Sequence, residues 1–177
     1  MKARWMVILS LLTVALLAAT PLTLPRNKAG RVQYMDTVEI SGAAPSDLMR
    51  RARLWLAQRA NMPADIQKGE QPHCIMVGDS FQVPHSGMPF TVFYTLAFEA
   101  EGPRLCSTVG ALYVFDGSVQ RPIEYYLKAD GTAKMDPWLV ESVDQQARTL
   151  LADLHKALLQ PQSRDGRRNG SANPHGS

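Results

Sequence analysis

The run from Pro89 to Phe115, PFTVFYTLAFEAEGPRLCSTVGALYVF, decides the fold. Its first half places Val92, Tyr94, Leu96 and Phe98 on one parity, with Thr91, Thr95 and Glu99 on the other. Its second half, Leu105 to Phe115, is rich in Val, Tyr, Thr and Leu. Two such runs, β-branched and aromatic and broken once at Glu101-Gly102-Pro103, spell a β-hairpin. A hairpin alone is marginal in water, so other segments must cover its apolar face.

Two amphipathic helices are the covers. Past a first strand over residues 32–40, Ser41 to Pro45 breaks the chain, and a helix is predicted from Pro45 or Ser46 to Arg59. Proline and an Asp suit a first turn, where the missing donor and the negative charge both fit. Leu48, Met49, Ala52, Trp55, Leu56 and Ala60 recur at helical spacing and form its apolar stripe. Arg50, Arg51, Arg53 and Arg59 make the opposite face basic, a pattern expected of a solvated face balanced by carboxylates. The second helix opens with Asp136 as N-cap and Pro137 in the first turn, and runs to Leu159. Its stripe is Val140, Val143, Ala147, Leu150, Leu151, Leu154, Ala157 and Leu158, with Asp144 among the residues placed elsewhere. Trp55 and Trp138 are read as core anchors of the two helices.

Between these covers, residues 65–68 read as a short edge strand and residues 73–83 as a longer one. In the longer strand Ile75, Val77 and Phe81 point to the core and Cys74 and Met76 away from it. Ile123, Tyr125 and Leu127 alternate, which predicts one more extended segment over residues 122–129. Asp130-Gly131 is a tight turn.

The 177 residues, 45% apolar and 20% charged, suit one globular domain with a core of its own. We place that domain at residues 31–159, an N-terminal signal or anchor at 1–25 and a disordered tail at 160–177. Lys2 and Arg4 precede an apolar run, small residues stand at Ala18-Ala19, and no charge follows until Arg26. This is the form of an export signal. The 21 uncharged residues would also just span a bilayer if the segment were retained. Either way the body of the protein is expected outside the cytoplasm, periplasmic or membrane-anchored. The chain carries a net charge of +3, yet residues 30–160 hold 12 Lys and Arg against 15 Asp and Glu. A mildly acidic body argues against neutralising nucleic-acid phosphates.

No stretch carries a catalytic or cofactor motif. Cys74 and Cys106 are the only cysteines, and in an exported chain they invite a disulfide. In a simple meander they would stand two strands apart, about 9.6 Å at ~4.8 Å per strand, where a bridge needs roughly 7 Å or less between Cα atoms. His73, Cys74, Asp79 and His85 have none of the paired spacings of a metal site, and neither histidine supplies Cys74 with a specified base. No metal and no cofactor is expected. Binding, if it occurs on the sheet, would use the face turned away from the helices: Met76, Thr91, Phe93, Thr95, Thr108 and Leu112.

The arrangement resembles a bacterial family of exported domains of unknown function with a TATA-binding-protein-like (TBP-like) fold. The likeness rests on the strand and Trp-bearing helix TVEISGAAPSDLMRRARLWLAQ from Thr37, on Gly78 in the next strand, on the long strand pair, and on YLKADGTAKMD from Tyr126 before the last helix. It spans about residues 33–159. It implies a curved antiparallel sheet with two helices on one face, in an exported protein often from Bacteroidetes-like bacteria. It implies no activity. The central hairpin departs from the usual Asp-Gly or Asn-Gly turn.

These readings combine into an α+β domain, an antiparallel meander with two helices packed on one face. The expected role is non-enzymatic binding of an envelope protein or small ligand by the open sheet face. A structural or assembly component is the alternative, with a hydrolase or nucleic-acid-binding domain as weaker rivals.

Overall fold

The computed structural model describes residues 21–59, 67–68, 74–85 and 87–160. Most of the expected signal segment, all but the first residue of the expected tail, Ala60 and His73 lie outside those residues. The elements are β1 (Tyr34–Glu39), α1 (Pro45–Arg59), β2 (Gln67–Lys68), β3 (Cys74–Val83), β4 (Phe90–Glu101), β5 (Arg104–Phe115), β6 (Gln120–Pro122), a 3-10 helix (Ile123–Tyr126) and α2 (Pro137–Leu159).

The central hairpin forms as expected, joined by Gly102 and Pro103. Gly102 takes φ +55, the positive angle that tight hairpin turns demand and glycine adopts without steric cost. The strands run β1-β5-β4-β3-β2, and β6 pairs antiparallel with β5 through Val114 opposite Arg121. The meander therefore holds from β2 to β5. β1 instead joins beyond β5, and the connection through α1 carries the chain from that edge to β2.

Within the strands, burial follows parity. Val92, Tyr94, Leu96, Phe98 and Ala100 of β4 are buried. Along β5, Leu105, Ser107 and Val109 are buried, and then the alternation slips by one residue, so that Leu112 and Val114 come next. At the slip Ala111 takes φ +48, as where a bulge inserts an extra residue and turns the following side chains over. Leu112, expected on the outer face, is therefore a core residue, only 3% exposed.

The contacts fall into two compact units. One comprises Met1–Tyr34, Asp79–Thr95 and Val109–Ala147; the other comprises Met35–Gly78, Leu96–Thr108 and Arg148–Ser177. In the second, α1 starts at Pro45, with the Ala44 carbonyl accepting from the Asp47 and Leu48 amides. It buries Leu48, Met49, Ala52, Trp55 and Leu56. Trp55 meets Phe98 of β4 edge-on at 6.4 Å between ring centroids. The arginines are balanced largely as expected: Arg50 pairs with Asp47 and Arg59 with Asp153. Arg51 differs, donating 2.6 Å to the Leu158 carbonyl, where a cation meets the negative end of α2.

In the first unit α2 begins with the Asp136 carbonyl accepting from the Leu139 and Val140 amides. Leu139, Val140, Val143 and Ala147 are buried, and so is Asp144, which the charge pattern had put elsewhere. Trp138 is not a core anchor. It stands one residue before the stripe and is 40% exposed, its ring 5.7 Å from that of His85. Residues 122–129 also depart from expectation, because Ile123 and Tyr126 are buried three apart in a 3-10 turn while Tyr125 faces out. Eclipsed side chains at i and i+3 are the mark of that helix, not of a strand.

Candidate functional site

The residues turned away from the helices follow from the parity above. In the first unit β4 presents Thr91, Phe93 and Thr95. Phe93 is 41% exposed and its two threonine neighbours are half-buried. Gln82 of β3 donates from Nε2 to the Thr91 hydroxyl at 3.1 Å, a cross-strand bond that fixes one side of this patch. On the opposite parity the Tyr94 hydroxyl donates to Asp79 Oδ2 at 2.8 Å, and Asp79 Oδ1 accepts from the Ser80 amide. Tyr94 also lies 5.7 Å from the Phe81 ring. The Phe93 patch thus rests on a strand pair whose inner side is packed and hydrogen-bonded.

In the second unit β3 presents Cys74, Met76 and Gly78 on the same parity, and Met76 is 43% exposed. A Cβ built on Gly78 would meet nothing within 4 Å, so the strand backbone lies open to close approach. On β5 Thr108 and Cys106 are half-buried. Cys74 and Cys106 are both free and half-buried, on strands separated by β4.

Among the described residues no group of three His, Cys, Asp or Glu is placed to hold a metal. His85 is taken up in an aromatic stack, 4.8 Å from Phe90 and 5.7 Å from Trp138. Among the carboxylates Asp116 is strongly perturbed. The Val119 and Ser118 amides and the Ser118 hydroxyl donate to Oδ1 and hold its carboxyl at about 2. Asp130 is lowered by the Thr132 hydroxyl and amide in the same way. These are turn-forming bonds, as anticipated at Asp130.

One arrangement was hidden in the sequence. Tyr125 of the 3-10 turn has two cations over its ring, the Arg121 guanidinium at 5.0 Å and the Lys134 ammonium at 5.9 Å from its centroid. Reading residues 122–129 as a strand concealed it. The four-residue step from Arg121 to Tyr125 was the available signal.

No family model matches the chain, and no curated protein matches it. Solved structures do. A TBP-like protein from Parabacteroides distasonis has a TM-score of 0.65 and 13% identity, covering 76% of this chain and 96% of that one. A DUF4468 family protein from Bacteroides ovatus has a TM-score of 0.63 and 16% identity, covering 80% of this chain and 93% of that one. At such identities the likeness speaks for the fold, and the protein is an α+β chain of TBP-like fold, as the resemblance of its sequence implied.

Proposed function

We propose that this is an exported cell-envelope protein with a non-enzymatic role, binding another envelope protein through the outer face of its sheet. Phe93 carries the reading. Its neighbours Val92 and Tyr94 are buried, whereas the Phe93 ring is left in water on a rigid strand with hydroxyls on either side. Covering a Phe side chain is worth about 1.5–3 kcal/mol, and an aromatic anchor rimmed by polar groups is a common centre of a protein interface. Met76 beside the open backbone at Gly78 offers the second unit a patch of its own, on a side chain that adapts to many surfaces. The basic start and the uncharged apolar run before Arg26 support the envelope location.

The test is native mass spectrometry of the protein recovered from its own envelope without reductant, as the natural chain and as Phe93→Glu. The reading predicts a protein-sized increment on the natural chain and its loss from the variant, with the variant's melting temperature unchanged. A bare monomer, or an increment that survives Phe93→Glu, would overturn it. A doubled chain mass would point to self-assembly instead.

A further inference from the structure

We infer that the first unit carries a membrane-facing rim, formed by Tyr125 with Arg121, Lys134, Lys128 and Arg26, that rests on the anionic headgroups of a bilayer. The inference rests on the N-terminal apolar segment being retained, and is independent of Phe93.

Short contacts link the residues of the rim. Tyr125 is 47% exposed and has the Arg121 and Lys134 cations over its ring. The Lys134 amide donates to the Tyr126 carbonyl at 2.8 Å, and Arg26 reaches the Lys128 carbonyl at 3.0 Å. Leu24 is buried, and its carbonyl and Arg26 Nε would each lie 3.8 Å from a Cβ at Gly131. The first described residues therefore run along the same turn that carries Lys128.

Charge favours a lipid surface. Residues 21–34 and 119–138 together hold six Lys and Arg against three carboxylates, in a body that is otherwise acidic. Two of those carboxylates are engaged locally: Glu124 accepts from the Val32 amide and pairs with Arg31, and Asp130 closes its own turn with Thr132. Arg121 is itself paired with Asp116 at 3.1 Å, so Arg26, Lys128 and Lys134 carry most of the rim's charge. The ammonium of Lys134 lies over the Tyr125 ring. Tyrosine and long cationic side chains are the groups that settle at a membrane–water interface, the ring at headgroup level and the charges on anionic lipid.

Continuity supplies the orientation. The uncharged run from Trp5 ends at Pro25, and the next residue is Arg26, itself part of the rim. Leu24, near the end of that run, is buried in the body, so a segment that enters a bilayer just ahead of it brings Arg26 and the 128–131 turn it touches close to the headgroup layer. A soluble acidic protein would suit the cations but has no such reason to sit beside the end of an apolar run.

The full chain, in a Trp5→Phe background, would be reconstituted in nanodiscs of mixed phosphatidylcholine and phosphatidylglycerol, with and without Tyr125→Trp. Lipids brominated near the headgroup should quench most of the emission that Tyr125→Trp adds. That quenching should fall when Lys128→Glu and Lys134→Glu are introduced, and in discs of phosphatidylcholine alone. Added emission that brominated lipid leaves intact while the chain co-elutes with the disc would overturn the rim, and is also the result if a soluble acidic partner is its true occupant. Quenching indifferent to the charge reversals would overturn it as well. A chain that stays out of the disc fraction would sink both the rim and the retained segment, leaving the reading of Phe93 untouched.

Discussion

His155 on α2 and Asp36 on β1 meet at 2.6 Å between imidazole Nδ1 and carboxylate Oδ2, both side chains partly exposed. Asp36 shares its parity with the buried Tyr34 and Val38, so the contact pins the helix over the inner side of an edge strand. Hydrogen bonds to charged groups contribute more than neutral ones, but solvent screening reduces the gain for exposed partners. Asp36→Ala should lower stability by about 1 kcal/mol, read from the urea midpoint at constant m. His155→Ala should cost about the same, and the double variant should cost much less than the sum. Additive losses would show that the contact contributes nothing of its own.

Asp116 makes the acid limb of stability predictable in sign. Its carboxyl is held at about 2 against an ordinary value of 3.8, chiefly by the Val119 amide and then by Ser118. A carboxylate depressed in the folded state contributes stability that is complete above the unfolded value and is lost as pH falls through the folded one. Asp116→Asn should therefore flatten the decline in stability from about pH 4 down to about pH 2, measured by urea unfolding at a series of pH values. An NMR titration of the Asp116 carboxyl should give its midpoint near the lower end of that window.

The slip in β5 separates two adjacent residues by their effect. Leu112→Ala should cost about 2–5 kcal/mol as a core truncation, while Tyr113→Ala, on the exposed side, should fall within about 1 kcal/mol. Ala111→Gly should be neutral or stabilising by about 1 kcal/mol, because the left-handed conformation strains alanine and not glycine. At an ordinary strand position the same change would be destabilising. The reverse ranking of Leu112 and Tyr113 would show that β5 keeps one parity throughout.

Thiol titration tests the cysteines. Two free thiols per chain are expected in unfolded protein prepared without reductant, since Cys74 and Cys106 lie on strands separated by β4. A count of zero would mean that the strands are paired in another order.

Much of this fold could be read from spacing. β4 and the two helices were legible because each repeats its period for several turns or pleats, and Pro45 and Pro137 mark the helix starts. Leu112 was not legible, because the bulge turns on an alanine in a conformation that alanine seldom adopts and so gives no warning. Tyr125 was misplaced because Ile123, Tyr125 and Leu127 satisfy a two-residue period while the burial follows a three-residue one. Trp138 and Asp144 were assigned by residue type, an aromatic to the core and a charge to water, where position on the helix decided otherwise. On the candidate face Phe93 and Met76 were correctly read as outward, since strand parity alone settles them.

The most direct measurement of binding through the Phe93 face is cross-linking in living cells from a photoreactive phenylalanine analogue placed at Phe93 in the full chain. One dominant adduct of defined mass should form from position 93 and be suppressed by Thr91→Asp, with none from an analogue placed at exposed Glu39. Equal adducts from both positions, or none from 93, would contradict the assignment of the outer face as the binding surface.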